Sequence, residues 1–192
     1  QPFSASFPGL LTTCIEDPST YAFAGIISDC LRGLEYLVSC PQVDASRIVA
    51  IGNDLALFTA ALSSYITHLV CTPKLFFAHG DIAPQTEEYP LEEFNDYFRL
   101  NPTKIDTVNR TLSYFDIRWF ASKLQIPTLI MGAAAGELLD RNTLAPLMQD
   151  GSDDTNFHPA EHSTYKDGLF VEEWLTSKLG LGSPVLPEHW QL

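Results

Sequence analysis

The sequence predicts an α/β protein with a mostly parallel sheet flanked by helices, and three observations predict it. Short apolar, β-branched runs recur along the chain, the first at Arg47 to Ile51. Stretches with helical spacing separate them, so strands alternate with helices as they do around a parallel sheet. The first run also passes at once through Gly52 into a helical segment, the strand-turn-helix order of a buried parallel unit.

Gln1 to Tyr21 carries Pro and Gly without sustained periodicity and reads as a surface segment leading to the turn Glu16-Asp17-Pro18-Ser19-Thr20. From there to Cys40, Phe23, Ile26, Ile27, Cys30, Leu31, Leu34, Leu37 and Val38 recur every three or four residues, an amphipathic helix stopped by Pro41. After the strand at Arg47 to Ile51, a helix is expected from about Asp54 to Tyr65, and a second strand at Thr67 to Thr72 ends at Pro73. Glu92 to Leu124 alternates helical segments broken at Asn101-Pro102, and its aromatics Phe94, Tyr97, Phe98, Tyr114, Phe115, Trp119 and Phe120 read as core. A third strand is expected at Pro127 to Met131, a helix at Asn142 to Met148 and a fourth strand at Thr155 to His158. Leu169 to Leu179 closes as a helix with Gly180 at its C-cap. Gly182 to Leu192 reads as a surface tail.

The 192 residues suffice for one domain, since a chain of this size buries roughly 70% of its unfolded surface. With no apolar run near the length of a membrane span and a net charge of −13, the sequence predicts a soluble protein without nucleic acid or membrane partners. Cys14, Cys30, Cys40 and Cys71 show no metal-ligand spacing, so neither metal nor cofactor is expected, and Cys30 and Cys71 read as small core residues. Free thiols favour a reducing compartment, cytoplasmic in a bacterium; an even count leaves disulfides and the compartment open. The triplet Asn109-Arg110-Thr111 matters only in a secreted chain. A start at Gln1 reads as the beginning of an excised or processed piece of a longer protein.

Function turns on Gly52-Asn53-Asp54-Leu55-Ala56. A nucleophile elbow is a sharp, strained strand-to-helix turn with Ser at its centre and small residues two places to either side. Gly52 and Ala56 meet the size requirement, but Asp54 stands at the centre. Two readings stay open. Asp54 attacks carbon as a carboxylate nucleophile, or it is a helix N-cap that accepts backbone N–H bonds and complements the helix dipole.

Together these segments resemble the acetyl xylan esterase and cephalosporin C deacetylase family of α/β hydrolases. The likeness runs from Phe7-Pro8-Gly9 and Asp17-Pro18 through Asp29-Cys30-Leu31-Arg32-Gly33-Leu34-Glu35 and Val43-Asp44-Ala45-Ser46-Arg47-Ile48 on to Gly180. Its most specific piece is Thr111-Leu112-Ser113-Tyr114-Phe115-Asp116, preceded by Tyr89-Pro90-Leu91-Glu92-Glu93 and Asp96-Tyr97-Phe98-Arg99. The resemblance implies a partial α/β-hydrolase fold whose early strands are missing, 1–192 forming one domain of a longer protein. An elbow strand lies within a sheet, so the strand before Gly52 should keep one unpaired edge. That edge calls for cover by an N-terminal region, a second copy or another chain, and an oligomer is expected.

The resemblance also places the triad. Asp54 stands where the family has its nucleophilic Ser, and Leu55 where a backbone N–H would help bind the oxyanion; the loop carrying the second oxyanion donor has no counterpart in these residues. His162 falls where the family has its general base, with Glu161 in place of the usual Gly and His158 as the fallback. The acid should lie in Gly132 to Asp140. The family position falls on Gly136, with Glu137 beside it and Asp140 as a poorer choice.

Asp54, His162 and Glu137 therefore read as vestigial triad positions in a domain that has lost its catalytic Ser and partners an active esterase. The alternative is a carbohydrate deacetylase completed by another chain, with Asp54 as nucleophile and an acetylated carbohydrate as ligand. A general sugar-binding module ranks third.

Overall fold

Among the described residues, the strand that ends at the Gly-Asn-Asp turn, β1 (Val49–Gly52), lies at one edge of the sheet. The computed structural model describes residues 9–161 and 164–182. Its sheet has the order β1-β2-β3-β4 with β2 at His68–Cys71, β3 at Thr128–Gly132 and β4 at Thr155–Pro159, all pairs parallel. Among the described residues β1 pairs with β2 alone, Val49 opposite His68 and Gly52 opposite Cys71. β3 is buried along its whole length, as a parallel strand covered on both faces should be.

The helices are α1 (Ala22–Ser39), α2 (Asp54–Leu62), α3 (His79–Ile82), α4 (Glu92–Leu100), α5 (Ile105–Ser113), α6 (Ala145–Gln149) and α7 (Thr164–Leu179). Side chains alternate across the sheet. Leu69, Cys71 and Ile130 join the large core that includes Phe23 and Leu34 of α1 and Leu57 and Phe58 of α2. Val70, Leu129 and Met131 face the other way, onto Trp174 of α7. No helix among the described residues is long and apolar enough to cross a membrane.

Several boundaries differ from expectation. The second helix stops at Leu62, where Ser63 is extended, instead of reaching Tyr65. α6 starts at Ala145, not Asn142, because Asp140 ties up the preceding turn by accepting the Thr143 N–H. The closing helix begins at Thr164, five residues before the apolar spacing becomes visible. Its end agrees, with Gly180 at φ 63 and the Leu181 N–H returning to the Thr176 carbonyl.

The segment before Tyr21 corrects the expectation of a surface stretch. Leu11, Ile15 and Tyr21 are buried, and the Glu93 carboxylate accepts both the backbone N–H and the hydroxyl of Thr12. A polar anchor on α4, 81 residues away, was not readable from local periodicity. The aromatic stretch divides: Phe94 and Phe115 are core, whereas Tyr114 and Trp119 are exposed. Cys71 is buried as expected, but Cys30 is only half-buried, beside the open edge of β1.

Candidate functional site

β1 delivers the chain to the turn, and two small residues let strand and helix pass closely. A Cβ placed on Gly52 would lie 3.5 Å from the Ala56 Cβ, in van der Waals contact. Asn53, with φ −90 and ψ −154, is the true N-cap of α2. Its side-chain oxygen accepts the Leu55 N–H at 3.0 Å, and its carbonyl accepts the Ala56 N–H. The capping role expected for Asp54 therefore belongs to its neighbour. The Leu55 amide assigned to the oxyanion is engaged by that cap.

Asp54 occupies the first turn of α2 and turns inward. It has no exposed surface, and its carboxylate accepts three backbone N–H bonds: Oδ2 from Lys74 and Leu75 at 2.9 Å each, Oδ1 from Phe76 at 3.0 Å. Those amides belong to the segment leaving β2, which has no strand partner among the described residues, so Asp54 supplies their acceptors. Burial pushes the carboxyl pKa up, opposed by the three amide bonds. Beneath it, the Cys71 thiol donates to the Asn53 carbonyl at 3.6 Å, and burial raises its pKa far enough to keep it a thiol. Nor does residue 54 carry the left-handed backbone: among described non-glycine residues only Cys14, Ala78 and Leu139 have positive φ.

Past β3, Asp140 is buried and organises the loop, Oδ2 accepting the Gly136 N–H and Oδ1 the Thr143 N–H, both at 2.9 Å. These bonds hold its carboxyl below the usual range. Gly136, at φ 87, makes the bend that this closure requires. Glu137 is exposed and lines a cleft of about 460 Å³ at the C-terminal ends of the strands, together with Lys74, Glu88, Tyr89, Met131 and Ala160. Ligands of open α/β sheets bind at that end. A larger hollow of about 780 Å³ runs along α7, and its lining among the described residues comes from that helix and its C-terminal end.

His162 lies outside the described residues. His158 stands opposite Met131 on β3 and so points to the α7 side of the sheet, stacked on Phe170 at 3.8 Å with Nε2 3.3 Å from Asp167 Oδ1. Asp54 heads α2 on the opposite side, so the structure does not bring His158 and Asp54 together. Sequence reading missed His79. Burial drives its pKa down to about 4, its Nε2 has no hydrogen-bond partner among the described residues, and its ring meets Phe94 edge-on. Nothing in the periodicity around His79 signals that burial. No cluster of described residues has the make-up of a metal site.

A four-stranded parallel sheet with a strand-turn-helix elbow and a cleft at its C-terminal end defines a partial α/β-hydrolase fold. The chain belongs to the acetyl xylan esterase (AXE1) family, whose model matches residues 1–143. It is 28% identical to acetyl esterase Axe7A of Xylanibacter ruminicola over 128 residues, 64% of this chain and 28% of that protein. In fold it is similar to the acetyl xylan esterase from Paenibacillus sp. R4, with a TM-score of 0.78, 22% identity and coverage of 93% of this chain and 60% of that one. Acetyl xylan esterase 1 from Thermoanaerobacterium sp. JW/SL YS485 gives a TM-score of 0.74 at 18% identity, covering 94% of this chain and 60% of that one. The chain thus spans less than two thirds of each of these relatives.

Proposed function

We propose that this is an acetyl xylan esterase-like domain that has lost the catalytic Ser and serves as a structural or binding partner of an active esterase. The observation carrying this reading is the state of Asp54. A nucleophile must present a free electron pair to the substrate, whereas this carboxylate is fully buried with three amides bonded to it. The Leu55 amide, committed to Asn53, adds support because an oxyanion hole needs free donors. Family membership supplies the acetyl ester as the chemistry from which the domain departed.

The cleft bearing Glu137 favours a second reading, a carbohydrate deacetylase completed by another chain with Asp54 as nucleophile. Acetate release from acetylated xylan and from an aryl acetate separates the two. The expected result is release no faster than in buffer, unchanged in Asp54→Asn and His162→Ala. Turnover abolished by either substitution would establish the enzymatic reading instead.

A further inference from the structure

Two fixed points bracket a short stretch of strained chain between β2 and α4. At its start Phe76 is held from both sides, its N–H by Asp54 and its carbonyl by the Ile117 N–H, at 3.0 Å each. At its end the Asn95 side-chain amide holds the Ala83 carbonyl at 2.8 Å and the Thr86 carbonyl at 3.1 Å. Between them Ala78 has left-handed backbone, φ 42 and ψ 43, a conformation that a residue with a Cβ adopts only at a cost. α3 follows as a single turn, closed by the Asp81 and Ile82 N–H groups on the Ala78 carbonyl at 2.8 and 3.0 Å. The Asp81 carbonyl in turn accepts the Gln85 side-chain amide at 2.7 Å, and Gln85 lines the cleft at the C-terminal ends of the strands. One side of the cleft is thereby tied to α3.

His79 is the group in this stretch whose chemistry can move it. Its Nε2 is buried without a partner among the described residues, and its ring centre lies 5.4 Å from that of Phe94. Two carboxylates bear on the ring, Asp81 from its own helix and Asp116 from the turn before Ile117, and Asp116 is already committed to Arg118. α4 presents the apolar Phe94, while its carboxylates bond elsewhere, Glu93 to Thr12 and Glu92 and Asp96 to Arg99. An imidazolium carries an N–H at Nε2, which here would be a buried, charged donor without an acceptor. The closed stretch disfavours that state, and an open one hydrates it.

We infer that proton uptake by His79 opens α3 about Ala78 while Phe76 and Ala83 stay in place, freeing the Gln85 side chain at the rim and so remodelling the cleft in mild acid while the rest of the fold persists. Opening relieves the left-handed backbone at Ala78 as well as the orphaned nitrogen. It does not depend on the functional reading: acetate release by the chain would refute that reading and leave this one standing.

Amide exchange of the full chain at pH 7 and pH 5, in urea below the unfolding transition, tests it. The amides to follow are Asp81 and Ile82, with Leu69, whose N–H meets the Pro127 carbonyl at 3.0 Å, as the core reference. Protection at Asp81 and Ile82 should fall about twentyfold from pH 7 to pH 5, the ratio set by an imidazole that titrates near 6.5 when open and about 4 when closed. At pH 5 it should lie at least about tenfold below that of Leu69 and be indifferent to urea, the mark of a local opening. In His79→Phe the fall should vanish. Protection at Asp81 and Ile82 that equals that of Leu69 and shares its urea dependence would overturn the inference, because the stretch would then open only with the whole fold. A fall that persists in His79→Phe would overturn it equally. The wild-type measurement decides the matter even where that variant does not fold.

Discussion

The Asp54 carboxylate accepts the Phe76 N–H at 3.0 Å across 22 residues of chain, fastening the head of α2 to the segment that leaves β2. Lys74 and Leu75 share the same carboxylate, so removing it strands three amides at once. Asp54→Ala should destabilise the fold by roughly 4 kcal/mol, the cost of several unmet buried donors. Asn53→Ala should cost only about 1 kcal/mol, the loss of a helix cap. Urea unfolding of the two variants checks the order. Equal effects would return the capping role to Asp54.

A hydroxyl placed at position 54 should not confer esterase chemistry. Asp54→Ser leaves at least one of the three amides without an acceptor, and the Leu55 amide remains held by Asn53. The variant should unfold at lower denaturant concentration than the wild type and release no acetate from an aryl acetate above background.

Acid should weaken the fold through His79. Its pKa is about 4 in the folded chain, while the unfolded imidazole titrates near its ordinary value of 6.5. Between those values the unfolded state binds more protons, so stability is complete above about pH 6.5 and falls as pH drops toward 4. The fall is on the order of 3 kcal/mol. Nearby Asp116 and Asp81 pull the His79 pKa upward, but burial outweighs them. His79→Phe, which keeps a ring against Phe94, should remove this share of the slope in urea titrations at pH 4.5, 5.5 and 7.5.

Close packing at the end of β3 should be sensitive to one methyl group. A Cβ on Gly132 would come within 2.5 Å of Phe157 Cε2 and 2.9 Å of the Leu139 carbonyl. Gly132→Ala should cost about 2 kcal/mol through overpacking. Gly168, inside α7 with no described atom within 4 Å of its Cβ position, should behave oppositely, Gly168→Ala gaining about 0.5–1 kcal/mol of helix stability. Thermal melts of the pair decide the matter.

The sheet was legible because each strand is a short apolar run next to a turn residue, and β1 to β4 fall within two residues of their expected limits. The elbow was legible for a similar reason, small residues at 52 and 56 flanking a polar turn. What Asp54 does there was not, because its partners come from residues 74–76 and only the fold brings them near. The same holds for Glu93, which buries the segment around Thr12, and for Asp140, whose place in the loop depends on the bend at Gly136. Side chains that satisfy distant backbone groups leave no periodic trace in a sequence. They are also the ones that separate a structural carboxylate from a catalytic one.

The central claim is that Asp54 is a buried acceptor of amide bonds and not an attacking group. Intact-mass spectrometry of the chain, quenched during exposure to excess aryl acetate and followed by peptide mapping, tests it most directly. The expected spectrum contains only unmodified protein at Asp54. An acetyl group on the Asp54 side chain, lost again on standing in water and absent from Asp54→Asn, would contradict it.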